Sequence, residues 1–230
     1  MMYGKLRGIV PPITSDSPVS TLTVCELFTS LQGESTHAGR VCSFIRLAGC
    51  NLRCHYCDTT YSYGGGQRKS FQELLAWLAT EKTSLVEITG GEPLCQDAVV
   101  DFSALLLQQG YEVLVETNGT WDVSVLPGEV QKIIDYKLPG SGATTPFFRE
   151  NFSHISSRDE VKFVISDRAD YECAKEIVQN QDIAGEVLFS PVEQSCSLKG
   201  LAEWIVEDRL RVRLGVQLHK VIWGSDTKGV

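Results

Sequence analysis

The chain has no stretch approaching the ~18 consecutive apolar residues that a membrane-spanning helix requires. Its first twenty residues, MMYGKLRGIVPPITSDSPVS, lack the apolar core of a secretory leader, because Pro11 and Pro12 cut that region short. Basic residues are in the minority: 21 Lys and Arg stand against 29 Asp and Glu, for a net charge of -8. The densest basic run is RLRVR at 209–213, so the broad positive surface that attracts a phosphate backbone is missing. A role in nucleic-acid metabolism would therefore be played on a small molecule, not on the polymer. Internal repeats and low-complexity segments are also lacking. Together these absences predict a cytoplasmic protein with neither nucleic-acid nor membrane partners.

What is present is ordinary in bulk: 230 residues, 43% hydrophobic and 22% charged. That length suits a single domain over 1–230, with 1–20, rich in Pro and Ser, as a loosely ordered arm. Eight cysteines without an export signal point to a reducing compartment and to metal chemistry in place of disulfides. Cys25, Cys42, Cys95, Cys173 and Cys196 are scattered and read as buried filler.

Apolar runs dominated by Val, Ile, Leu and Phe predict strands at 22–30, 41–48, 85–90, 111–117, 130–137, 160–166, 186–190 and 214–219, covered on both faces. Helical spacing appears at 70–82, 97–109, 168–180 and 198–209. In the first of these, Ser70 and Glu73 form a capping box, and Leu74, Leu75, Trp77 and Leu78 the buried stripe. The alternation predicts a parallel α/β sheet with outer helices. The chain is shorter than the ~250 residues typical of a closed eightfold barrel. Its connections at 118–129 and 138–159 carry no helical pattern, so an open, partial (β/α) barrel is expected. Ligands gather at the carboxyl ends of parallel strands. CNLRCHYCDTTYSY, TGGEP, ETNG, DYKLPGSG, SPVE and QLHK all fall at such ends.

The first of these places Cys50, Cys54 and Cys57 in a C-x3-C-x2-C array. Structural zinc is one reading, with His55 or Asp58 as fourth ligand. Such sites are often built from two C-x2-C knuckles, however, and only one is present. The other is a [4Fe-4S] cluster on three thiolates, one iron being left open for a small ligand. In TGGEP, Gly90 and Gly91 permit close approach of bare backbone. Gln32 and Glu34, flanking Gly33, suit a flat heterocycle with several N–H and C=O groups. A period of two puts Gln217 and His219 on one face of the last predicted strand. The tail WGSDTKGV would dock over the site, burying the Trp223 ring.

C-x3-C-x2-C with an aromatic residue, Tyr56, before its last cysteine, followed by TGGEP, resembles the radical S-adenosylmethionine superfamily. LQGE, FIRLAGCNLRCHYCDT, ETNG, KFVISD and the terminal QLHK…WG…GV resemble its branch that contracts a pterin to a deazapurine. That resemblance implies a lyase acting on 6-carboxy-5,6,7,8-tetrahydropterin, releasing ammonia, with the radical chemistry carried by the cofactor and no catalytic side chain named. It also implies a flavodoxin-type electron donor and a homodimer. Cys50, Cys54 and Cys57 would hold the cluster. S-adenosylmethionine would lie against Tyr56, Cys57, Asp58, Gly91, Asp135, Tyr136, Lys137, Ser190, Pro191, Val192 and Glu193. The pterin would meet Leu31, Gln32, Gly33, Glu34, Arg46, Thr89, Glu116 and His219, with the carboxylate of Val230. Thr59 would give Mg2+ a hard oxygen. A glycyl-radical activase shares the cysteine spacing but has no need of LQGE or QLHK; a zinc-stabilised binding module is the rival of another class.

Overall fold

A computed structural model describes residues 20–225 and 227–230; the expected arm, apart from Ser20, lies outside the described residues. The strands are β1 (Thr21–Leu31), β2 (Val41–Leu47), β3 (Gln67–Ser70), β4 (Leu85–Gly90), β5 (Glu112–Thr117), β6 (Gln131–Tyr136), β7 (Glu160–Ile165), β8 (Glu186–Pro191) and β9 (Arg213–Leu214). They form one sheet in the order β3-β1-β2-β4-β5-β6-β7-β8-β9. From β2 to β9 every pairing is parallel. No pairing joins β3 to β9 among the described residues, so the barrel is open, as expected.

Two expectations need correction. The sheet is not wholly parallel: β1 pairs antiparallel with β2, and β3 with β1. The nine residues 32–40 between β1 and β2 are too few for the crossover that parallel strands require. The predicted strand at 214–219 is the second. Only Arg213–Leu214 pairs with β8. The chain then leaves the edge at Gly215, whose N–H donates to the Phe189 carbonyl at 2.8 Å, where a side chain would collide with Ser190. Residues Leu218–Trp223 become a short helix, α5.

The other helices follow the sequence pattern: α1 (Phe71–Glu81), α2 (Ala98–Gln108), α3 (Arg168–Asn180) and α4 (Leu198–Asp208). The capping box at the start of α1 is formed in both directions, Ser70 N–H to the Glu73 carboxylate at 2.7 Å and Glu73 N–H to Ser70 Oγ at 3.2 Å. Leu74 and Leu78 are buried on its inner face, while Leu75 and Trp77 flank it half-buried. On the outer face of the sheet, Ile45, Ile88, Val115, Ile134, Phe163 and Phe189 pack with Leu74, Leu78, Phe102, Leu106, Tyr171 and Leu201. Each such Leu or Phe contributes roughly 1.5–3 kcal/mol by leaving water. The connections on either side of β6 carry only short 3-10 turns. There an aromatic group packs on the core, with Tyr136 centred 4.7 Å from Phe147, 6.2 Å from Phe152 and 5.2 Å from Phe163.

The inner face differs from the doubly apolar strands expected. Its apolar layer is small: Cys42, Phe44, Leu85, Leu114 and Ile133, with Phe28 stacked on Phe44 at 4.7 Å. Two residues further along the same strands stand Arg46, Glu87, Glu116 and Asp135, and β7 contributes Lys162. Period-two geometry turns all of them inward.

Candidate active site

A cavity of about 410 Å³ lies over this charged layer, within the range of small-molecule sites. The loop 32–40 builds one wall. Its outer part is fastened to the first residues of three strands: Thr36 N–H and Oγ donate to Glu160 at 2.9 and 2.6 Å, His37 Nε2 meets Gln131 Oε1 at 2.8 Å, and Arg40 donates twice to Glu112 at 2.8 and 2.6 Å. Gln32, Gly33 and Glu34 are thereby carried to the cavity.

There Lys162 Nζ donates to Glu34 at 2.9 Å and to Glu116, and stands 3.8 Å from Asp135. Burial opposes the charge on Lys162, but Glu116 and Glu34 raise its pKa well above the ordinary value. Burial likewise opposes ionisation of Glu34; Lys162 and a 2.8 Å bond from Gln217 nevertheless hold its carboxyl down to about 2. Glu87, 2% exposed, behaves oppositely: burial first and then Glu116 push it up to about 8.

The last helix closes the wall. Leu218 N–H donates to the Gly33 carbonyl at 2.8 Å, and a side chain at Gly33 would meet His219 Nδ1 at 2.6 Å. Gln217 caps α5 and His219 lies within it, so they share the cavity without sharing a strand face. Beyond α5, Ser225 Oγ donates to Glu193 at 2.7 Å, Lys228 Nζ stands 4.2 Å from the Tyr61 ring centre, and Val230 lines the cavity. Trp223 does not bury: it is 40% exposed, with Val221 and Ile222 beside it. A six-residue helix one layer thick has no second layer to receive its outer face.

The cysteine loop follows β2. Cys50, Cys54 and Cys57 are half-buried and line the cavity. TGGEP is packed onto this loop: Gly91 N–H donates to Leu47 O at 3.2 Å and Glu92 N–H to Gly49 O at 2.8 Å. Side chains at Gly90 or Gly91 would strike Leu47 or Gly49 and Cys50, so the close approach those glycines permit is to the cysteine strand itself. Glu92, fully buried, ties TGGEP to ETNG by accepting from Asn118 N–H at 2.6 Å and Thr117 Oγ at 2.8 Å.

The donor set argues against a single ion. Among the described residues no three His, Cys, Asp or Glu are grouped to hold one, and His55 is exposed over Gly142. A closed zinc site takes four ligands; with His55 over Gly142 the loop offers three thiols, the soft donors that an iron–sulfur cluster takes. Two buried polar atoms lining the cavity, Tyr56 Oη and Asp135 Oδ1, have no partner in the protein among the described residues. Lys137 lies between them, 2.6 Å from Asp135 Oδ2 and 5.8 Å from the Tyr56 ring centre. Unpaired buried polar atoms are costly and commonly mark a ligand's place.

Of the residues assigned from the sequence, Tyr136 alone is kept from the cavity. On β6 it alternates with Asp135, so its ring joins the outer aromatic group. Arg46 lines the cavity and also pairs with Glu26 at 2.6 Å, where Tyr61 donates to the same carboxylate at 2.8 Å. Thr59 Oγ donates to Asp58 at 2.8 Å, and Asp58 meets Lys220 at 2.9 Å. The scattered cysteines are not uniformly filler: Cys42 and Cys196 are buried, Cys25 and Cys173 half-buried, and Cys95 exposed. Sequence reasoning missed Glu87 and Lys162. The signal was a charge set inside an apolar run: Glu87 in LVEITG, Lys162 in EVKFVIS.

Residues 44–180 match the model of the Radical SAM superfamily. A 7-carboxy-7-deazaguanine synthase of Koribacter versatilis is 43% identical over 226 residues, covering 91% of this chain and 100% of that protein. One of Chlorobaculum tepidum is 39% identical over 219 residues, covering 93% and 100%. The crystal structure of QueE from Escherichia coli superposes with a TM-score of 0.72 at 23% identity, over 86% of this chain and 95% of that one, a likeness of fold. No helix among the described residues is long and apolar enough to cross a membrane.

Proposed function

We propose a chemistry for this cavity from one premise: the chain belongs to the radical SAM superfamily and, within it, to the 7-carboxy-7-deazaguanine synthases. It is an enzyme, a lyase of 7-deazapurine biosynthesis. The substrate is 6-carboxy-5,6,7,8-tetrahydropterin, and the products are 7-carboxy-7-deazaguanine and ammonia. The observation that carries this reading is what shares the cavity: three half-buried thiols, two unpartnered polar atoms and the charged floor around Lys162.

Cys50, Cys54 and Cys57 would hold the [4Fe-4S] cluster. S-adenosylmethionine would take the unpartnered Tyr56 Oη and Asp135 Oδ1, with Ser190 to Glu193 lining the same cavity. The cluster and that cofactor, when bound, supply the electron and the hydrogen-abstracting group. The protein's part is to orient the pterin beneath them and keep water out. Arg46 stands ready for the substrate carboxylate, which a guanidinium can grip with two N–H groups. Glu116 and Glu34, both paired with Lys162, would accept from ring N–H groups, and Thr89 Oγ, 3.1 Å from Glu116, borders them. Val230 closes the far side with its terminal carboxylate. Thr59, which donates to Asp58, would give Mg2+ a hard oxygen of the kind that ion prefers.

The electron comes from a flavodoxin-type donor and the enzyme works in the cytoplasm as a homodimer; the exposed Val221 and Ile222 of α5 are apolar surface that a second copy would cover. The direct test is anaerobic turnover of the carboxypterin with reduced cluster, S-adenosylmethionine and Mg2+. Mass spectrometry should detect the deazapurine carboxylate. Cofactor cleavage without that product would overturn the substrate assignment.

A further inference from the structure

Resting on the reading of this cavity as a pterin site, we propose that Glu87 is a specificity-determining residue. One carboxyl oxygen anchors the Gln32 amide, and the other meets an acceptor, a carbonyl or ring nitrogen, on the heterocycle's edge.

The geometry fixes the first contact. Gln32 Oε1 accepts from Glu34 N–H at 2.6 Å, so its NH2 is turned the other way and donates to Glu87 Oε2 at 2.9 Å. Both side chains are almost wholly buried, Gln32 being 4% and Glu87 2% exposed. Glu87 Oε1 has no partner in the protein among the described residues, yet it is not sealed off, and Glu87 lines the cavity. That oxygen is therefore open to a ligand.

Its chemistry follows from the neighbours. Facing Glu87 are Glu116 from β5, Glu34 from the loop, Lys162 from β7 and, on β2, Cys42, whose thiol lies against the Glu87 backbone. Burial, then repulsion from Glu116, raises the carboxyl to about 8 against the pull of Gln32 and Lys162. At neutral pH it keeps its proton, and a protonated carboxyl donates as well as accepts. Glu34, held ionised, only accepts; Lys162 and Arg46 donate with full charge. Glu87 thus supplies an uncharged O–H to an uncharged acceptor. A pterin carries such acceptors next to N–H groups on its lactam edge. A heterocycle lacking the acceptor would leave that O–H buried and unpaired, which is the strongest form of rejection a polar site has.

The test is equilibrium binding of 6-carboxytetrahydropterin to anaerobic holoenzyme, for wild type, Glu87→Gln and Glu87→Ala, across about pH 7 to about pH 9. Glutamine reproduces the neutral acid: its carbonyl accepts from Gln32 and its NH2 donates to the ligand. Glu87→Gln should bind within about threefold of wild type at neutral pH, and Glu87→Ala about tenfold or more weaker. Wild-type affinity should fall as pH rises through about 8, because the donated proton is lost, while Glu87→Gln stays flat. Iron content and S-adenosylmethionine binding, measured on the same samples, should be unchanged and would show that the variants fold. Wild-type affinity in folded Glu87→Ala, or an alkaline fall in Glu87→Gln equal to that of wild type, would overturn the proposal. A wild type that fails to bind the carboxypterin at all sinks the pterin reading and this inference with it; a wild type that turns it over while Glu87→Ala binds normally sinks only the role of Glu87.

Discussion

On the outer face of the sheet, Ile45, Ile88, Val115, Ile134 and Phe163 meet helices; on the inner face their chain neighbours Arg46, Glu87, Glu116, Asp135 and Lys162 meet a cavity. One residue's step in sequence exchanges a core for a site. The outer face adds stability with every group it buries. The inner face gives some of it up, because each charge there has been taken from water and depends on the opposite charges and hydrogen bonds beside it. Lys162 with Glu34, Glu116 and Asp135 is such a set, one ammonium shared among three carboxylates. The comparison teaches where a substitution should be read: outside in stability alone, inside in ligand affinity and turnover as well.

The largest expected effect is on the loop that caps the inner face. Cys50→Ala, Cys54→Ala and Cys57→Ala should each abolish cluster assembly and turnover, while Cys25→Ala and Cys173→Ala keep both. Iron content after anaerobic reconstitution checks this, and full iron in any of the first three would undo the ligand assignment. Next comes the pair that tests the two faces directly. Phe163→Ala on the outer face should cost about 3–5 kcal/mol of stability, read by denaturant unfolding. Lys162→Met, its neighbour on the inner face, should cost a similar ~3–5 kcal/mol because it leaves carboxylates uncompensated. Adding Glu116→Gln should restore much of the second loss and none of the first. Equal rescue of both variants would mean that the inner charges are not a balanced set.

The outer face was legible in the sequence and the inner face half so, for a physical reason. Leu74 and Leu78 on α1 lie where their 3.6 spacing put them, because burial against a sheet rewards that period alone. The strands of the central sheet were equally plain as apolar runs. Those runs hid an alternation, however, since Val, Ile and Leu fill one face while single charges such as Glu87 and Lys162 punctuate the other. The cysteine triad and QGE could be placed at the cavity from the sequence, because each is a compact motif beside a strand end. What could not be read was contact between distant segments: that Gly33 is small so α5 can close, or that Gly91 makes room for Cys50. The Gln217–His219 pairing failed because Gly215 leads the chain off the sheet edge before a strand can continue.

A smaller effect belongs to Thr59. Thr59→Ala should keep the cluster and uncoupled cofactor cleavage yet lose stimulation of turnover by Mg2+, since it deletes one inner oxygen. Titration of turnover against Mg2+ measures this; an unchanged curve would leave Thr59 as no more than the partner of Asp58.

The tail should give the smallest effect, and it separates docking from burial. Trp223 stands 40% exposed and does not anchor the tail, so other groups must hold it in place. Two contacts do so on the cavity rim: Ser225 Oγ to Glu193 at 2.7 Å and Lys228 Nζ over Tyr61 at 4.2 Å. Exposed contacts of this kind are worth roughly 0.5–1 kcal/mol each, enough to bias the tail inward but not to fix it in the absence of substrate. With substrate bound, a Val230 carboxylate that met the pterin would add a charge-assisted hydrogen bond of about 1.5–3 kcal/mol. Truncation after Ser225 should therefore raise KM for the carboxypterin about tenfold. Iron content, S-adenosylmethionine binding and melting temperature should all stay as they were, since none of the tail belongs to the outer core. Adding Ser225→Ala to the truncated chain should change nothing further, because that hydroxyl has then no tail left to hold. An unaltered KM in the truncated enzyme would show that these rim contacts hold the tail without serving the site.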